Sequence, residues 1–119
     1  MTETRTVMAS LDALCAAVPG VETAVYMDMN QGTVLCASAR VQVPQERLDT
    51  LCAMAATLLG QGEDREDEAL ILSATETLLL HRARRNAGEA LGVVCAPGGD
   101  LANTLAQTRE TLDSLAEAA

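Results

Sequence analysis

The chain has 119 residues, of which 49% are apolar, and Tyr26 is its one aromatic residue. This length predicts a single domain over residues 1–119, and the apolar content excludes intrinsic disorder. With 8 basic against 17 acidic residues, a formal net charge of −9 and almost no aromatic rings, the composition argues against binding to nucleic acid or to an anionic membrane, and favours a basic partner or solubility.

The first third of the chain predicts a helix followed by a hairpin. Residues 4–18 place apolar side chains at helical spacing, and Pro19-Gly20 ends that pattern. Residues 21–28 and 33–38 resemble strands, and Asn30-Gln31-Gly32 between them supplies residues that tolerate positive φ. Apolar residues occur on both faces of each strand, which indicates a sheet covered by helices on both sides.

A second helix is predicted over residues 44–59, with proline in its first turn. Its apolar side chains cover an arc of about 160°, which is wider than the ~100° needed to pack on one sheet. Two interpretations stay open. Either something beyond the chain's own sheet covers this helix, or it is an ordinary helix with small alanines on its flank.

The acidic run GEDREDE at residues 62–68 follows that helix. Its carboxylates do not have the spacing of an EF-hand calcium loop, so a solvated loop is predicted. Strands are then predicted at 69–74, 76–83 and 90–96, and their short connections require an antiparallel meander. A last helix starts after Asp100, a candidate N-cap, with a buried stripe formed by Leu101, Leu105, Leu112 and Leu115.

Groups that could support catalysis or bind a metal are sparse. His81 is the one histidine and stands in an apolar strand, where a structural role is favoured. Cys15, Cys36, Cys52 and Cys95 form no CxxC pair and sit in apolar runs, so they are predicted to be buried hydrophobes. No catalytic residue, cofactor or metal site is predicted, and the chain is not expected to be an enzyme.

Two weaker signals concern phosphate and acidic partners. There is no GxxxxGK[ST] motif, and Gly98-Gly99 before a helix is explained by a turn and a cap without a phosphate. Arg82, Arg84 and Arg85 cluster near a strand end and are interpreted as a solvated surface.

The sequence predicts a cytoplasmic protein. No segment approaches the ~18 unbroken apolar residues that span a bilayer. The first residues carry Glu3, Arg5 and Asp12 where a signal peptide would be apolar.

The hairpin region resembles a known family. VPGVETAVYMD at 18–28, followed by QGTVL at 31–35, resembles the opening of roadblock/dynein-light-chain domains. The later elements follow the order of that family to the end of the chain. The fold class that this resemblance supports is an α+β sandwich with the order α-β-β-α-β-β-β-α.

The resemblance implies a specific architecture and assembly. The antiparallel five-stranded sheet would carry the first and last helices on one face and the middle helix on the other. A dimer with an identical chain or a paralogue would form by pairing third strands edge to edge and packing middle helices together. This agrees with the apolar run at residues 69–74, which would otherwise be a hydrophobic sheet edge without cover. The implied dimer interface comprises Leu51, Met54, Ala55, Leu58, Leu70 and Leu72.

The resemblance also implies a function. Roadblock proteins commonly act as scaffolds or regulators of Ras-like GTPases, and some bacterial members bind such a GTPase as homodimers and speed its hydrolysis. The chain is therefore predicted to be a non-enzymatic dimeric adaptor for a Ras-like small GTPase. The alternative is a profilin- or longin-like sensor domain that binds a small ligand, which would need a pocket with convergent polar groups.

Overall fold

Three helices and five strands follow one another in the predicted order. The computed structural model describes residues 4–117. None of its helices over that range has the length and hydropathy needed to span a membrane. The elements are α1 Thr4–Ala17, β1 Val21–Asp28, β2 Thr33–Ala39, α2 Gln45–Leu59, β3 Glu68–Leu72, β4 Thr77–Arg82, β5 Glu89–Cys95 and α3 Leu101–Glu117. A short 3₁₀ turn at Gly62–Asp64, inside the acidic run, was not predicted.

The five strands form one antiparallel sheet in the order β2-β1-β5-β4-β3. Strands β2 and β3 are therefore its two edges. Strands β3, β4 and β5 form a meander in which β4 lies between the other two, as their short connections require. The predicted antiparallel five-stranded sheet is confirmed.

Each face of the sheet has its own hydrophobic core. Helices α1 and α3 cover one face, and α2 covers the other. Strand β4 has three consecutive leucines because both of its faces are covered. Leu79 points into the α1/α3 core, while Leu78 and Leu80 point into the α2 core. Each such leucine contributes roughly 2 kcal/mol by leaving water, so β4 stabilises both layers.

Local side-chain bonds fix the turn and the last helix. In the β1–β2 turn, the Asp28 carboxylate accepts the backbone N–H groups of Asn30 and Gln31 at 2.9 and 3.1 Å. Of the three predicted turn residues, Gly32 alone has positive φ, at 67°. Asp100 accepts the backbone N–H of Asn103 at 3.0 Å, which confirms it as the cap of α3.

Arg82 is buried, so its interpretation as part of a solvated strand end is wrong. Its guanidinium donates to the carbonyl oxygens of Leu59 at 3.0 Å and Gly60 at 2.6 Å, at the C-terminus of α2. It also donates to the carbonyls of Glu66 and Ala87. These oxygens come from three separate segments. A single charged side chain therefore joins the end of α2, the acidic loop and the β4–β5 turn.

Replacing Arg82 tests that role. Arg82→Met keeps the aliphatic stem but leaves several carbonyl groups without their charged donor, so we expect a loss of about 3 kcal/mol in the free energy of unfolding. Arg84→Met is the matched control, because Arg84 is exposed and pairs with Asp113 at the surface. It should cost less than about 1 kcal/mol. Urea unfolding measures both variants, and equal losses would contradict the proposed role of Arg82.

Candidate interaction surface

The edge strand β2 carries an irregularity that opposes further strand pairing. Tyr26 pairs with Cys36 while the next residue, Met27, pairs with Val34, so Leu35 is left in a β-bulge. Leu35 is 44% exposed. Bulges interrupt the ladder and twist an edge away from a flat partner. The edge at β2 is therefore poorly suited to pairing with a further strand.

The edge strand β3 has no such irregularity. Its inner side pairs with β4 in unbroken register from Glu68 to Leu72. Within residues 4–117, no strand pairs with its outer side. Leu70 is 44% and Leu72 66% exposed. The predicted hydrophobic edge is therefore present, with open backbone groups and two accessible leucines.

The side chains of β3 divide between the two faces of the sheet. Ala69 and Ile71 pack against the α2 core. Glu68, Leu70 and Leu72 point to the opposite face, where Glu68 reaches α3 through Arg109. The two leucines predicted for the dimer interface therefore lie on the face away from α2. The alternation of side chains along a strand shows from sequence that Leu70 and Leu72 share one face of the sheet. It does not show which helices cover that face.

Helix α2 offers less apolar surface than its sequence suggests. Leu51 and Ala55 are buried against the chain's own sheet. Met54 is half-buried and Leu58 is 42% exposed, one turn apart on an accessible flank. Met54 packs against the same core as Ala69 and Ile71 of β3. Helix α2 lies across all five strands, the open edge strand β3 included, while Leu51 and Ala55 face inward.

A partly buried polar network lies where β1 ends and β5 begins. The Tyr26 hydroxyl donates to Glu89 Oε1 at 2.6 Å, and Arg85 Nε donates to the Tyr26 hydroxyl at 3.2 Å. Arg85 also reaches Glu89 Oε1 at 3.3 Å. Burial is the main cause that raises the pKa of Tyr26. Arg85 is therefore engaged inside the fold, unlike the solvated group predicted from sequence.

The four cysteines are buried, as predicted. Burial raises the pKa of Cys95 to about 11, and it also raises the pKa of Cys36 and of Cys52. These thiols stay protonated at neutral pH, which makes them weak nucleophiles and weak metal ligands. Among the described residues, no group of three or more His, Cys, Asp or Glu side chains could hold a metal ion.

Solved structures share this fold. MglB of Myxococcus xanthus matches with a TM-score of 0.82 and 17% identity, over 97% of this chain and 88% of that one. A Roadblock/LC7 domain from Streptomyces avermitilis matches with a TM-score of 0.75 and 16% identity, over 91% and 92%. The chain has the roadblock/LC7 fold.

A profilin-type structure is also similar, at a lower score than the roadblock structures. LokiProfilin1, solved in a complex with rabbit actin, matches with a TM-score of 0.65 and 12% identity over 98% of both chains. No protein-family model matches the sequence, and no curated protein matches it. At these identities the likeness establishes the roadblock fold.

In this roadblock fold, the start of β3 is fastened to α3 by an ion pair. Arg109 donates to both carboxylate oxygens of Glu68, at 2.8 and 2.9 Å, and this contact lowers the pKa of Glu68. His81, directly across on β4, is 1% exposed, and its Nδ1 lies 3.5 Å from Glu68 Oε2. Neither ring nitrogen of His81 makes a hydrogen bond. Burial is the largest cause that lowers the pKa of His81; the nearby Glu68 carboxylate opposes it, and Arg109 and Arg84 lower it further.

The lowered pKa of His81 predicts a loss of stability in mild acid. The unfolded chain binds the proton near pH 6.5, whereas the folded chain resists it until a lower pH. The free energy of unfolding should therefore be constant above about pH 6.5 and fall as the pH decreases below it. Glu68 acts in a separate window, because its lowered pKa costs stability only below about pH 4.3.

His81→Leu isolates this effect, because His81 is the only histidine. Urea midpoints at about pH 7 and about pH 5.5 should differ in the wild type and differ much less in the variant. At pH 7 the variant should be no less stable, since no hydrogen bond of the ring is lost. An unchanged pH dependence in His81→Leu would contradict the assignment.

Proposed function

We propose that this chain is a non-enzymatic, dimeric adaptor in the cytoplasm that binds a Ras-like small GTPase. The observation that carries the proposal is the open strand β3 of a roadblock fold, with Leu70 and Leu72 exposed on it. The partner in the dimer is an identical chain or a paralogue. The link to a GTPase follows from the function that is common among proteins of this fold.

The dimer forms when β3 pairs antiparallel with β3 of a second copy, giving a continuous ten-stranded sheet. The bulged edge strand β2 does not compete with β3 for this pairing. Helix α2 contacts β3 within the chain, so the same approach brings the two α2 helices together. Exposed Leu58 is then covered by the second copy.

The energetics of this contact suit a stable dimer. Burying about 400 Å² of apolar surface per subunit contributes roughly 10 kcal/mol per subunit before the costs of association. The regular edge adds backbone hydrogen bonds that the free chain makes only to water. Together these terms support a dimer at micromolar concentration.

A ligand sensor is less well supported than an adaptor. A sensor pocket needs polar groups that converge on a ligand. Three large polar side chains are instead committed to internal partners: Arg82 to backbone carbonyls, and Arg85 with Tyr26 to Glu89. These groups stabilise the fold itself, and the accessible features are an edge and a helix flank.

A charge at Leu72 tests the dimer. With the pairing centred on Leu70, Leu72 stands opposite the partner subunit's Glu68, so Leu72→Asp sets two carboxylates against each other at both ends of the seam. We expect the mass measured by sedimentation at micromolar concentration to fall from dimer to monomer. Val41→Asp is the control, because Val41 is 78% exposed but lies on the β2–α2 connection. A dimeric Leu72→Asp protein would show that the seam is elsewhere.

Binding to purified GTPases tests the adaptor role. Each Ras-like GTPase encoded in the same genome would be loaded with GDP or a non-hydrolysable GTP analogue and titrated with the chain in a calorimeter. We expect at least one to bind, in a ratio that contains two copies of the chain. Leu72→Asp should weaken that binding at least tenfold, about 1.4 kcal/mol, while Val41→Asp should not. A dimer that binds none of these GTPases would refute the proposed function.

A further inference from the structure

A polar cleft opens at the end of the fold where α2 finishes. Its volume is about 240 Å³, and the residues that border it include Asn30, Gln61, Arg65, Arg82 and Gly88. Because a water molecule takes about 30 Å³ of the liquid, the cleft has room for a small oxyanion with some of its waters. None of the described residues that border it has a carboxylate, so hydrogen-bond donors predominate in the lining.

One donor in this cleft belongs to the buried guanidinium of Arg82. Its Nη1 carries two hydrogens, and among residues 4–117 the one acceptor of Nη1 is the carbonyl oxygen of Ala87, at 2.6 Å. The other N–H of Nη1 is left for a further acceptor. The Asp67 carboxylate approaches from the Nε side, at 3.6 Å. Buried donors in folded proteins nearly always have a partner, so an acceptor is expected in the cleft.

Arg65 brings a second guanidinium to the same cleft. It lies within the acidic run at 62–68, yet its side chain makes no ion pair or hydrogen bond with any residue of the described part of the chain. Its backbone N–H closes the 3₁₀ turn by donating to the Gly62 carbonyl. The neighbouring carboxylates are exposed to water, where screening weakens both their attraction for Arg65 and their repulsion of an anion in the cleft.

The side-chain amide of Asn30 supplies a third donor. Its Oδ1 accepts from Gln61 Nε2 at 3.3 Å, which leaves the hydrogens of Nδ2 for another acceptor. A Cβ at position 88 would collide with Nδ2, so Gly88 lets the amide lie directly against the β4–β5 turn. The backbone N–H of Met29 donates to the Gly88 carbonyl at 2.8 Å, which holds the two turns together.

We propose that this cleft binds a phosphate group. Its donors come from three separate segments, namely β4, the loop after α2 and the β1–β2 turn. Donors that converge from several directions suit the tetrahedral oxygens of phosphate better than the planar oxygens of a carboxylate. Arg65 would contribute a charge-assisted, bidentate contact, and Arg82 a fixed N–H.

The phosphate site adds to the adaptor role and does not depend on it. Asn30, Gln61 and Arg65 are exposed, so the cleft is open on one side and differs from the enclosed pocket of a ligand sensor. All of its donors belong to one chain. The bonds from Arg82 to Leu59, Gly60 and Glu66 stay as they are, because the proposed ligand uses only the remaining N–H of Nη1.

An NMR titration with sodium phosphate tests the proposal. At neutral pH and constant ionic strength, the isotope-labelled wild type should show saturable shifts of the Arg82 Nε–H, the Asn30 side-chain amide and the Gly62 backbone N–H. Sodium acetate is the matched anion and should bind at least tenfold more weakly. Acetate that binds as tightly as phosphate would overturn the assignment, and so would phosphate that causes no saturable shift. Methyl phosphate, if it binds more tightly than inorganic phosphate, would identify an ester as the ligand, whereas weaker binding would identify free phosphate.

Arg65→Gln locates the binding. It removes a charged donor that the described fold does not use, so the affinity for phosphate should fall at least tenfold with the urea midpoint unchanged. Arg5→Gln is the matched control, because Arg5 is exposed on α1 and does not border the cleft. It should leave the affinity as it is. Phosphate binding by Arg65→Gln at the wild-type level would refute the site.

Asn30→Asp tests the third donor at nearly constant volume. The new carboxylate still accepts from Gln61 but places a negative charge in the cleft, so phosphate should bind at least tenfold more weakly. Gln31→Glu adds the same charge one residue further along the turn, outside the cleft. It should weaken binding by no more than about threefold. Equal losses in the two variants would contradict a direct contact from Asn30.

The outcomes separate this site from the proposed function. Leu72→Asp, expected to be a monomer, should bind phosphate as tightly as the wild type. Loss of phosphate binding in that monomer would overturn the assignment of the site to one chain. A protein that binds phosphate through Arg65 but binds no GTPase overturns the adaptor role alone. A dimer that binds a GTPase but shows no saturable phosphate shift overturns the cleft alone.

Discussion

The outer edge of β3 has open backbone groups, and both of its faces are apolar. Each face belongs to a different layer, because Ala69 and Ile71 continue the α2 core while Leu70 and Leu72 turn toward α3. Neither helix layer extends far enough to cover the strand completely. A strand with these properties is at its most stable when another strand continues the sheet, and the proposed assembly follows from that constraint.

The order of the elements was predictable because it depends on local patterns. Helical spacing, the Asp100 cap and the hairpin around Gly32 each involve residues close in sequence, and the structure has them where they were expected. The faces of β3 were not predicted, because an alternating strand does not state which helix covers which side. The burial of Leu51 and Ala55 was likewise not evident from sequence. Their apolar character is evident, but only the fold shows that the chain's own sheet uses them.

Arg82 shows why charged residues mislead a reading from sequence. An arginine near a strand end is usually solvated, and nothing local marks this one as different. Its partners are carbonyl groups of Leu59, Gly60, Glu66 and Ala87, which meet only after the sheet and α2 have formed. Together with the network around Tyr26, it places polar atoms where they hold the scaffold rigid.

The bulge at Leu35 also sets a limit on assembly. A sheet with two equally receptive borders could add copies at either side without end, and would grow into a filament. Here the edge at β2 is irregular and the edge at β3 is regular. A copy whose β3 edge is already paired therefore has no second regular edge for another copy. In the proposed dimer, pairing of like with like would therefore end at two copies, and the bulge in β2 would contribute to that limit together with the residues at the contact.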